Sequence, residues 1–464
     1  MSPPFVGIFA GFLVLLAFGV ARGEELCRIE VIDEEGWPVP LVELRTVHQV
    51  RFVTDNAGII AFDLPELMNR EVWFDVIGHG YEVPADGFGN RGVRLTPQPS
   101  TSLRVTVRRT LPARRLGRLT GAGRLAESRR LGLVVDDPET GILGCDSVQN
   151  AVYRGKLFWF WGDTNLAHYP LGIFQTTGAT TDIMPGKVDA PPISVSYEVF
   201  RDTAGRPRGV APMPGEGPTW ISGVVCLRDR EGQEHLGCAY AKIRPPLEAY
   251  RWGLALWNDA RQKFESVRIL WEKAEEKSPQ PPPLPQGHAV FWEDEANSKW
   301  VLFGDPFPSL RCPATFEAWQ DPSQWETLES PQFLWDAEHR NKVVPHRGAI
   351  AWHPWRGRWV AVFTQQFGKP SAFGELWYAE ASRPTGPWGK AVKIVTHDNY
   401  TFYNPAIHPE FTPEGSPSLF FEATYTRQFA DHASATPRYD YNQILYRLDL
   451  DDPRLAPARE SIAE

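Results

Sequence analysis

The chain has 464 residues, of which 42% are hydrophobic and 23% are charged, and its formal net charge is −9 at pH 7. The length predicts two or more domains, and the balance of apolar and charged residues excludes global disorder. The negative charge argues against nucleic acid as a partner, because phosphate binding requires an excess of lysine and arginine. The one basic stretch, Arg114 to Arg130, is interpreted as a solvated linker.

The N-terminus has the pattern of a secretory signal peptide. Val6 to Val20 is an apolar run, and Ala21-Arg22-Gly23 places small residues at a cleavage position. The run is shorter than the ~20 residues that a membrane-spanning helix requires. We expect residues 1–23 to direct export to the periplasm or the extracellular space, with no stable membrane anchor in the mature protein.

The cysteine count leaves at least one thiol unpaired, because five is an odd number. Cys226 and Cys238 flank the turn-like run Arg228 to Gly232, which makes them the best candidate for a disulfide. Two buried free thiols at these positions are an equally good interpretation.

Residues 24–108 are predicted to form a small β-sandwich. Cys27 to Val31 and Val72 to Val76 alternate apolar and polar residues, as half-buried strands do, and glycine-containing turns separate such segments. The region resembles the carboxypeptidase-regulatory-like, transthyretin-type sandwich on the segments Val31-Ile32-Asp33 through Gly36, Pro38-Val39-Pro40, Thr54-Asp55 with Gly58, and Gly80-Tyr81. The resemblance implies a spacer or adhesion module. Residues 109–143 are predicted to be the interdomain linker.

Residues 144–464 carry a loose internal repeat that predicts a five-bladed β-propeller. Each unit opens with a polar or small residue and an apolar strand, and a turn and a second aromatic or aliphatic strand follow. The openings begin at Asp146, Trp220, Gly287, His346 and Tyr403. Units of about 55 to 75 residues with three or four strands are typical of propeller blades. The fold class is therefore all-β, with a small N-terminal β-sandwich followed by a five-bladed β-propeller.

Propeller geometry predicts where the functional residues meet. In every blade the first strand starts, the second ends and the third starts at one face of the disc, so residues at these points converge around the channel mouth. Polar side chains concentrate there: Asp146, Asp163, Arg251, His288, Asp305, Arg311, His346, Arg347, Glu375, Tyr403, Asn404, Glu422, Tyr439, Asp440, Tyr441 and Asn442. Several carboxylates at one mouth suit glycoside hydrolysis, which needs one acid and one carboxylate that activates water or attacks carbon. An alternative for Asp163 and Asp305 is that each only caps a turn.

Six segments carry a resemblance to a known family. They are Asp146 to Gln149, Trp159 to Thr164, Gly374 to Ala381, Phe402 to Pro405 with His408-Pro409, Phe421 to Thr426, and Thr436 to Asn442. On these segments residues 144–464 resemble the five-bladed glycoside hydrolases that include arabinanases, xylosidases and levansucrase-like enzymes. They resemble still more the uncharacterised exported proteins of planctomycete-type bacteria.

The resemblance implies roles for individual residues. By position, Asp146 resembles the general base and Glu375 the general acid, and Asp305 is a candidate for the auxiliary carboxylate. Cys145-Asp146-Ser147 stands where the characterised enzymes have Arg-Asp-Pro. Asp163 and Glu422 are expected to tune charge or to accept hydrogen bonds from sugar hydroxyls. His288, Asp305, His346, Arg347, Tyr403, Asn404, Arg438, Tyr439 and Asp440 are expected to hold substrate.

We therefore expect a secreted glycoside hydrolase-like protein that acts on a polysaccharide or oligosaccharide. One alternative is a non-catalytic carbohydrate-binding or adhesion propeller, and a less favoured one is a polysaccharide lyase that uses Arg251, Arg311 or Arg347 against a uronate. No cofactor is required by the sequence. A structural calcium ion is compatible with the channel, whereas no HExxH or clustered Cys/His spacing favours zinc.

Overall fold

A computed structural model describes residues 26–134, 137–169, 171–183, 185–273, 280–338, 340–369, 372–428, 430, 435–436 and 439–460. The predicted signal peptide and Arg438 lie outside these residues. In the part of the chain that the structure covers, no helix is both long enough and apolar enough to cross a membrane.

The N-terminal region folds into two four-stranded sheets that share one hydrophobic core. In spatial order the first sheet contains Ile59–Phe62, Cys27–Asp33, Ser102–Arg109 and Tyr81–Glu82. The second contains Arg51–Val53, Glu43–Thr46, Val72–Ile77 and Gly92–Leu95. Along Cys27–Asp33 buried and half-buried residues alternate. This alternation places Ile29 and Val31 in the core and leaves the charged residues between them on the outer face.

The rest of the chain forms five four-stranded antiparallel sheets, which we number as blades 1 to 5. From the inside outward, blade 1 contains Val148–Tyr153, Lys156–Trp161, Thr177–Thr181 and Glu198–Val199. Blade 2 contains Thr219–Arg228, Glu234–Arg244, Glu248–Asn258 and Lys263–Glu272. Blade 3 contains His288–Glu293, Lys299–Gly304, Pro308–Pro313 and Glu326–Thr327. Blade 4 contains Pro345–His353, Arg358–Gln365, Glu375–Ala381 and Val392–Thr396. Blade 5 contains Thr401–Ile407, Ser418–Thr426, Asn442–Asp449 and Arg114–Arg118.

The blades close into a ring. The first strands of successive blades contact one another around a central channel, and the first strand of blade 5 contacts that of blade 1. Apolar residues of neighbouring blades pack into shared cores between the sheets. The predicted all-β architecture, a small sandwich followed by a five-bladed propeller, is confirmed.

One strand of the propeller comes from the segment predicted to be a linker. Arg114–Arg118 pairs with the third strand of blade 5, with Arg118 opposite Ile444 and Arg114 opposite Arg447, and so closes the ring. The interpretation of Arg114 to Arg130 as solvated is corrected over this strand, which is buried, whereas Arg129 and Arg130 are exposed. The buried arginines have partners: Arg114 forms ion pairs with Asp33 and Glu35 of the sandwich, and Arg118 donates to the carbonyl oxygens of Ala122 and Gly123.

The remaining elements are short. A three-stranded sheet contains Ile142–Cys145, Thr164–Leu166 and Gly172–Ile173, and a two-stranded sheet contains Leu334–Trp335 and Lys342–Val343. The helices are Ala126–Arg130 and Phe316–Gln320, with 3-10 turns at Pro322–Gln324, Pro409–Phe411 and Pro453–Arg459.

All five cysteines are free. Cys226 lies opposite Leu236, and Cys238 lies opposite Ala255. The candidate disulfide is therefore replaced by the alternative of two free thiols, because the register of the hairpin does not place the two sulfur atoms opposite each other.

Candidate active site

The channel mouth is the face at which the first strands start. Two acidic residues of blade 1 meet there, because Asp146 precedes the first strand and Asp163 follows the second. The Asp146 amide donates to the Asp163 carbonyl oxygen at 3.3 Å. The Gly162 amide donates to the Asp146 carbonyl oxygen at 2.8 Å, and a Cβ on Gly162 would lie 2.0 Å from Asp146 Oδ1. Glycine is needed in the Trp-Gly-Asp segment because the Asp146 carboxyl occupies this space.

The Asp146 carboxyl group is the most strongly perturbed acid of the mouth. Its pKa is raised to about 7: burial is the main cause and the nearby charge of Asp163 adds to it, while a hydrogen bond from Tyr441 opposes the shift. The Tyr441 hydroxyl donates to Asp146 Oδ2 at 2.8 Å. A carboxyl group with a pKa near neutrality exchanges its proton at physiological pH, which is the property required of a general acid or base.

Asp163 is the second carboxyl group at this position. Burial raises its pKa, and a hydrogen bond from Trp220 lowers it. Its Oδ1 atom is buried without a hydrogen-bond partner among the residues the structure describes. An unsatisfied buried oxygen beside a second carboxyl group is costly in a folded protein, so it marks a position where a substrate hydroxyl or a water would be stabilised.

Three residues around Asp146 have left-handed backbone conformations. The φ angles are +44° for Ser147, +45° for Asn404 and +62° for Tyr441. The conformations are held in place by neighbours: Asn404 Nδ2 donates to Ser147 Oγ, and the Ser147 amide donates to Thr424 Oγ1 at 3.0 Å. Positive φ angles at non-glycine residues are energetically unfavourable and cluster at functional sites.

The opposite side of the mouth, between blades 3 and 4, holds a neutralised carboxylate. Asp305 forms an ion pair with Arg347, and its Oδ1 accepts from the Gly348 amide at 2.8 Å. Tyr403 connects the two sides: burial raises its pKa, and the charges of Asp146, Arg347 and Asp305 all act on it. These side chains therefore surround one opening.

Two histidines line this side of the opening. The ring of His346 stacks on Phe373 with ring centroids 4.4 Å apart, and burial followed by the charge of Arg347 lowers the pKa of His346. His288 is deeper in the channel, where burial lowers its pKa to about 4, Asp305 opposes the shift and His408 adds to it. Both rings are held in the neutral form that can accept or donate a hydrogen bond.

Two further predicted residues, Glu375 and Glu422, are held by basic partners. Glu375 is buried and forms an ion pair with Lys393 on the outermost strand of blade 4. Glu422 is fully buried, and its Oε1 lies 3.0 Å from Nε2 of His408. Within the described part of the chain, neither glutamate is recorded in contact with Asp146.

The segment before the third strand of blade 5 also differs from its predicted role. Tyr439 is buried against Tyr425, with ring centroids 5.3 Å apart, so it belongs to the core rather than to a substrate surface. Asp440 Oδ1 accepts from the Arg427 amide at 3.1 Å, which holds a loop in place. Both residues lie in the turn before the strand Asn442–Asp449, so the alternation of a strand does not determine which way they face.

The sequence places Tyr441 at the mouth without assigning it a role and identifies Trp220 only as the opening of a blade, whereas in the structure both hydrogen-bond to the acidic pair. Trp220 lies at the start of the first strand of blade 2, and Tyr441 lies just before the third strand of blade 5. Both occupy positions at which propeller geometry predicts convergence on the mouth, and that geometry was the signal available.

Metal binding and uronate recognition receive no support from the described residues. Within them, no group of three or more His, Cys, Asp or Glu side chains is arranged to hold a metal ion. The arginines considered for a lyase are each ion-paired: Arg251 with Glu272, Arg311 with Glu326, and Arg347 with Asp305.

The chain is thus a five-bladed β-propeller with acidic residues at its channel mouth. No protein-family model and no curated protein matches it. Among solved structures, it is similar to an exo-1,5-α-L-arabinanase from a bovine ruminal metagenomic library, with 14% identity, a TM-score of 0.37, and coverage of 68% of this chain and 96% of that chain. An α-L-arabinofuranosidase from Clostridium thermocellum is similar with 15% identity, a TM-score of 0.36 and coverage of 64% and 88%. Native arabinanase from Bacillus subtilis is similar with 10% identity, a TM-score of 0.33 and coverage of 65% and 93%.

Proposed function

We propose that the protein is a glycoside hydrolase that cleaves a polysaccharide or oligosaccharide at the channel mouth, with Asp146 and Asp163 as the paired carboxyl groups. The observation that carries the proposal is the Asp146 carboxyl, which has a pKa of about 7 beside a second carboxyl group. Its contacts recorded among the described residues are a tyrosine hydroxyl and neighbouring polar groups, and they include no cation.

Paired carboxyl groups supply the two functions that glycoside hydrolysis requires. One protonates the leaving oxygen, and the other activates water or attacks the anomeric carbon. The burial of Asp146 and its proximity to Asp163 favour one shared proton over two ionised groups, since like charges in a desolvated site disfavour each other. Because the pair is coupled, its apparent pKa values belong to both residues.

Exposed aromatic rings around the mouth support a carbohydrate as the substrate. Trp220 is 38% exposed while it hydrogen-bonds to Asp163, and Phe367 is 74% exposed beside Phe373. Flat rings of this kind stack on the apolar faces of sugars, and their edges leave the sugar hydroxyls free to hydrogen-bond. Asn404, Tyr403 and Arg347 are the polar groups nearest to such a ligand.

A non-catalytic carbohydrate-binding propeller is the second candidate. The observation that favours it is the ion pair of Glu375 with Lys393, since a carboxylate held by a cation is disfavoured as a proton donor. In this case the same aromatic and polar mouth would bind a sugar without cleaving it. Export, for which the apolar run Val6 to Val20 is the argument, is proposed for both functions.

A screen of polysaccharides and aryl glycosides tests the proposal. We expect the wild type to release reducing ends or aryl alcohol and Asp146→Asn to release neither. The matched control is Asp451→Asn, which makes the same change at an exposed position after the last strand of blade 5. On a substrate that is cleaved, the rate should have an inflection near pH 7, falling above it if Asp146 is the acid and rising if it is the base. Binding without turnover in the wild type would instead establish the second candidate.

A further inference from the structure

A cavity lined by described residues lies in the central channel and opens on the face opposite the mouth. Its volume is about 500 Å³, and all five blades contribute to its lining. Its outer wall is formed by residues near the ends of the first strands, among them Val152, Phe291 and Trp352, which are 41%, 54% and 45% exposed. Because first strands start at the mouth, their ends mark the opposite face, and this volume is in the range of small-ligand sites.

A shallower groove continues from this cavity. It has a volume of about 170 Å³ and lies against the turn after the first strand of blade 4. Trp352 and Pro409 line both spaces, so the two are contiguous. Trp355 lines the groove and is 44% exposed. Two half-exposed indole rings on one surface are unfavourable in water unless a ligand covers them.

Polar groups converge on the inner part of the cavity. Gln149, Asn150 and Glu410 line it together with His288. Glu410 Oε2 is buried and has no hydrogen-bond partner in the part of the chain that the structure describes. Gln149 Oε1 accepts from the Val224 amide at 3.3 Å and Asn150 Nδ2 lies 2.9 Å from His408 Nδ1, so the amides keep one polar atom each for a ligand.

The charge of the cavity favours a neutral ligand. At its rim Arg228 forms an ion pair with Glu234 at 2.6 Å, so these two residues contribute no net charge. Inside, burial raises the pKa of Glu410, which favours its uncharged form. Indole rings at the entrance, with amide and carboxyl groups further in, match the alternating apolar faces and hydroxyl groups of a pyranose or furanose ring.

We propose that this cavity and groove form a second, non-catalytic binding site for a neutral saccharide, with Trp352 and Trp355 as stacking platforms and Glu410 as a hydrogen-bonding group. Its tryptophans lie at the ends of first strands, on the face opposite Asp146, while Gln149 and His288 extend the lining toward the mouth. It does not depend on the proposed hydrolase activity, and a protein that carries both sites would hold a polysaccharide chain at two points.

Isothermal titration of the full chain with neutral oligosaccharides of arabinose, xylose, galactose and glucose tests the site. The titration is carried out in Asp146→Asn, so that no ligand is cleaved. We expect Trp352→Ala in this background to weaken the opposite-face binding step at least tenfold and Trp352→Phe to retain it, because phenylalanine keeps the ring. Glu410→Gln should weaken it less. Phe88→Ala, which removes a 94% exposed ring from the sandwich, is the matched control and should have no effect.

The outcomes separate this site from the mouth. Arg347→Ala should weaken only saccharide binding at the mouth. Saccharide binding that is lost in Trp352→Ala and kept in Arg347→Ala therefore belongs to the opposite face. This criterion holds even if no hydrolysis is found. Unchanged affinity in Trp352→Ala, or no binding of any oligosaccharide in the panel, would overturn the proposal. Tetramethylammonium binding that is lost in Trp352→Ala would also overturn it, in favour of an organic-cation site. Equal unfolding midpoints for the tryptophan variants exclude misfolding as the cause.

Discussion

The carboxyl groups on the two sides of the channel mouth have different surroundings. On the blade 1 side, Asp146 and Asp163 lie together, and no cation is recorded in contact with Asp146 among the described residues. On the blade 3 and 4 side, Asp305 has the guanidinium of Arg347 and a backbone amide as partners. Burial is the main cause of the raised pKa of Asp146, about 7, and the hydrogen bond from Tyr441 offsets it only in part. Asp146 can therefore exchange a proton, whereas Asp305 positions its neighbours.

The same distinction applies to the buried glutamates. Glu375 is paired with Lys393, and Glu422 is paired with His408. Burial alone would lower the pKa of His408, but the hydrogen bond and charge of Glu422 outweigh it and the pKa is raised. Carboxylates that have cationic partners therefore stabilise the blades, and we expect substitution of these residues to affect folding more than turnover.

The largest expected effect is on turnover. Asp163→Asn and Asp146→Asn should each lower kcat by about 10³-fold, the range measured for loss of a general acid or base, whereas Glu375→Gln should lower it less than about fivefold. Steady-state kinetics on a cleaved aryl glycoside checks this. A loss in Glu375→Gln as large as that in Asp163→Asn would return the acid role to Glu375, as the sequence resemblance implied.

The pH dependence of the free energy of unfolding should distinguish Asp146 from a carboxylate that has a cationic partner. Its pKa rises from 3.8 to about 7 on folding, so the folded state prefers the protonated form. The associated stability is fully present below pH 3.8 and is lost as the pH rises through 7. Between pH 4 and 8 the free energy of unfolding of the wild type should fall by up to about 4 kcal/mol relative to that of Asp146→Asn. Urea unfolding across this range measures the difference.

The control for the pH experiment is Asp451→Asn, whose unfolding free energy should change with pH in parallel with that of the wild type. If the curves of Asp146→Asn and the wild type are also parallel, Asp146 does not carry a raised pKa, and the contrast between the two sides of the mouth fails.

The buried pair inside the channel wall should contribute mainly to stability. His408→Ala leaves the Glu422 carboxylate buried without its partner, which should destabilise the protein by about 3 kcal/mol. His408→Ala combined with Glu422→Gln should be less destabilising than the sum of the two single changes, because the two residues are in contact. Denaturant unfolding of the four proteins gives the coupling energy. A wild-type midpoint for His408→Ala would show that Glu422 needs no partner.

The sequence predicted the blades because each contains its own strands and turns. The run Leu157 to Trp161, for example, is apolar throughout and is buried on both faces of blade 1. The meeting of Asp146 with Asp163 followed from the same regularity, since strand starts and ends at one face converge whatever the loops contain. Strand order thus carried information about the site that no single motif contained.

The sequence did not predict features that depend on distant partners. The arginines of Arg114–Arg118 suggest a solvated segment when only the sequence is considered. In the structure, Arg114 is paired with Asp33 of the sandwich, and the backbone pairs with residues more than 300 positions later, as Arg118 does with Ile444. Glu375 lies at the predicted point of blade 4, but the strand presents its side chain to Lys393. Side-chain direction depends on register and twist, which periodicity does not determine.

The smallest expected effect tests the compensated side of the mouth. Arg347 is exposed and its ion pair with Asp305 lies at the surface, so the pair contributes little to folding and its loss should cost less than about 1 kcal/mol. In the proposed function, Asp305 positions this guanidinium to donate to a substrate hydroxyl. Arg347→Ala should therefore raise KM about tenfold while kcat changes less than about threefold, a loss of binding shared by ground and transition states. The KM of Arg347→Lys should lie between those of the wild type and Arg347→Ala, since lysine keeps the positive charge but lacks the planar set of hydrogen-bond donors. A fall in kcat equal to that of Asp146→Asn would show that Arg347 stabilises the transition state, and the two sides of the mouth would then form one catalytic unit.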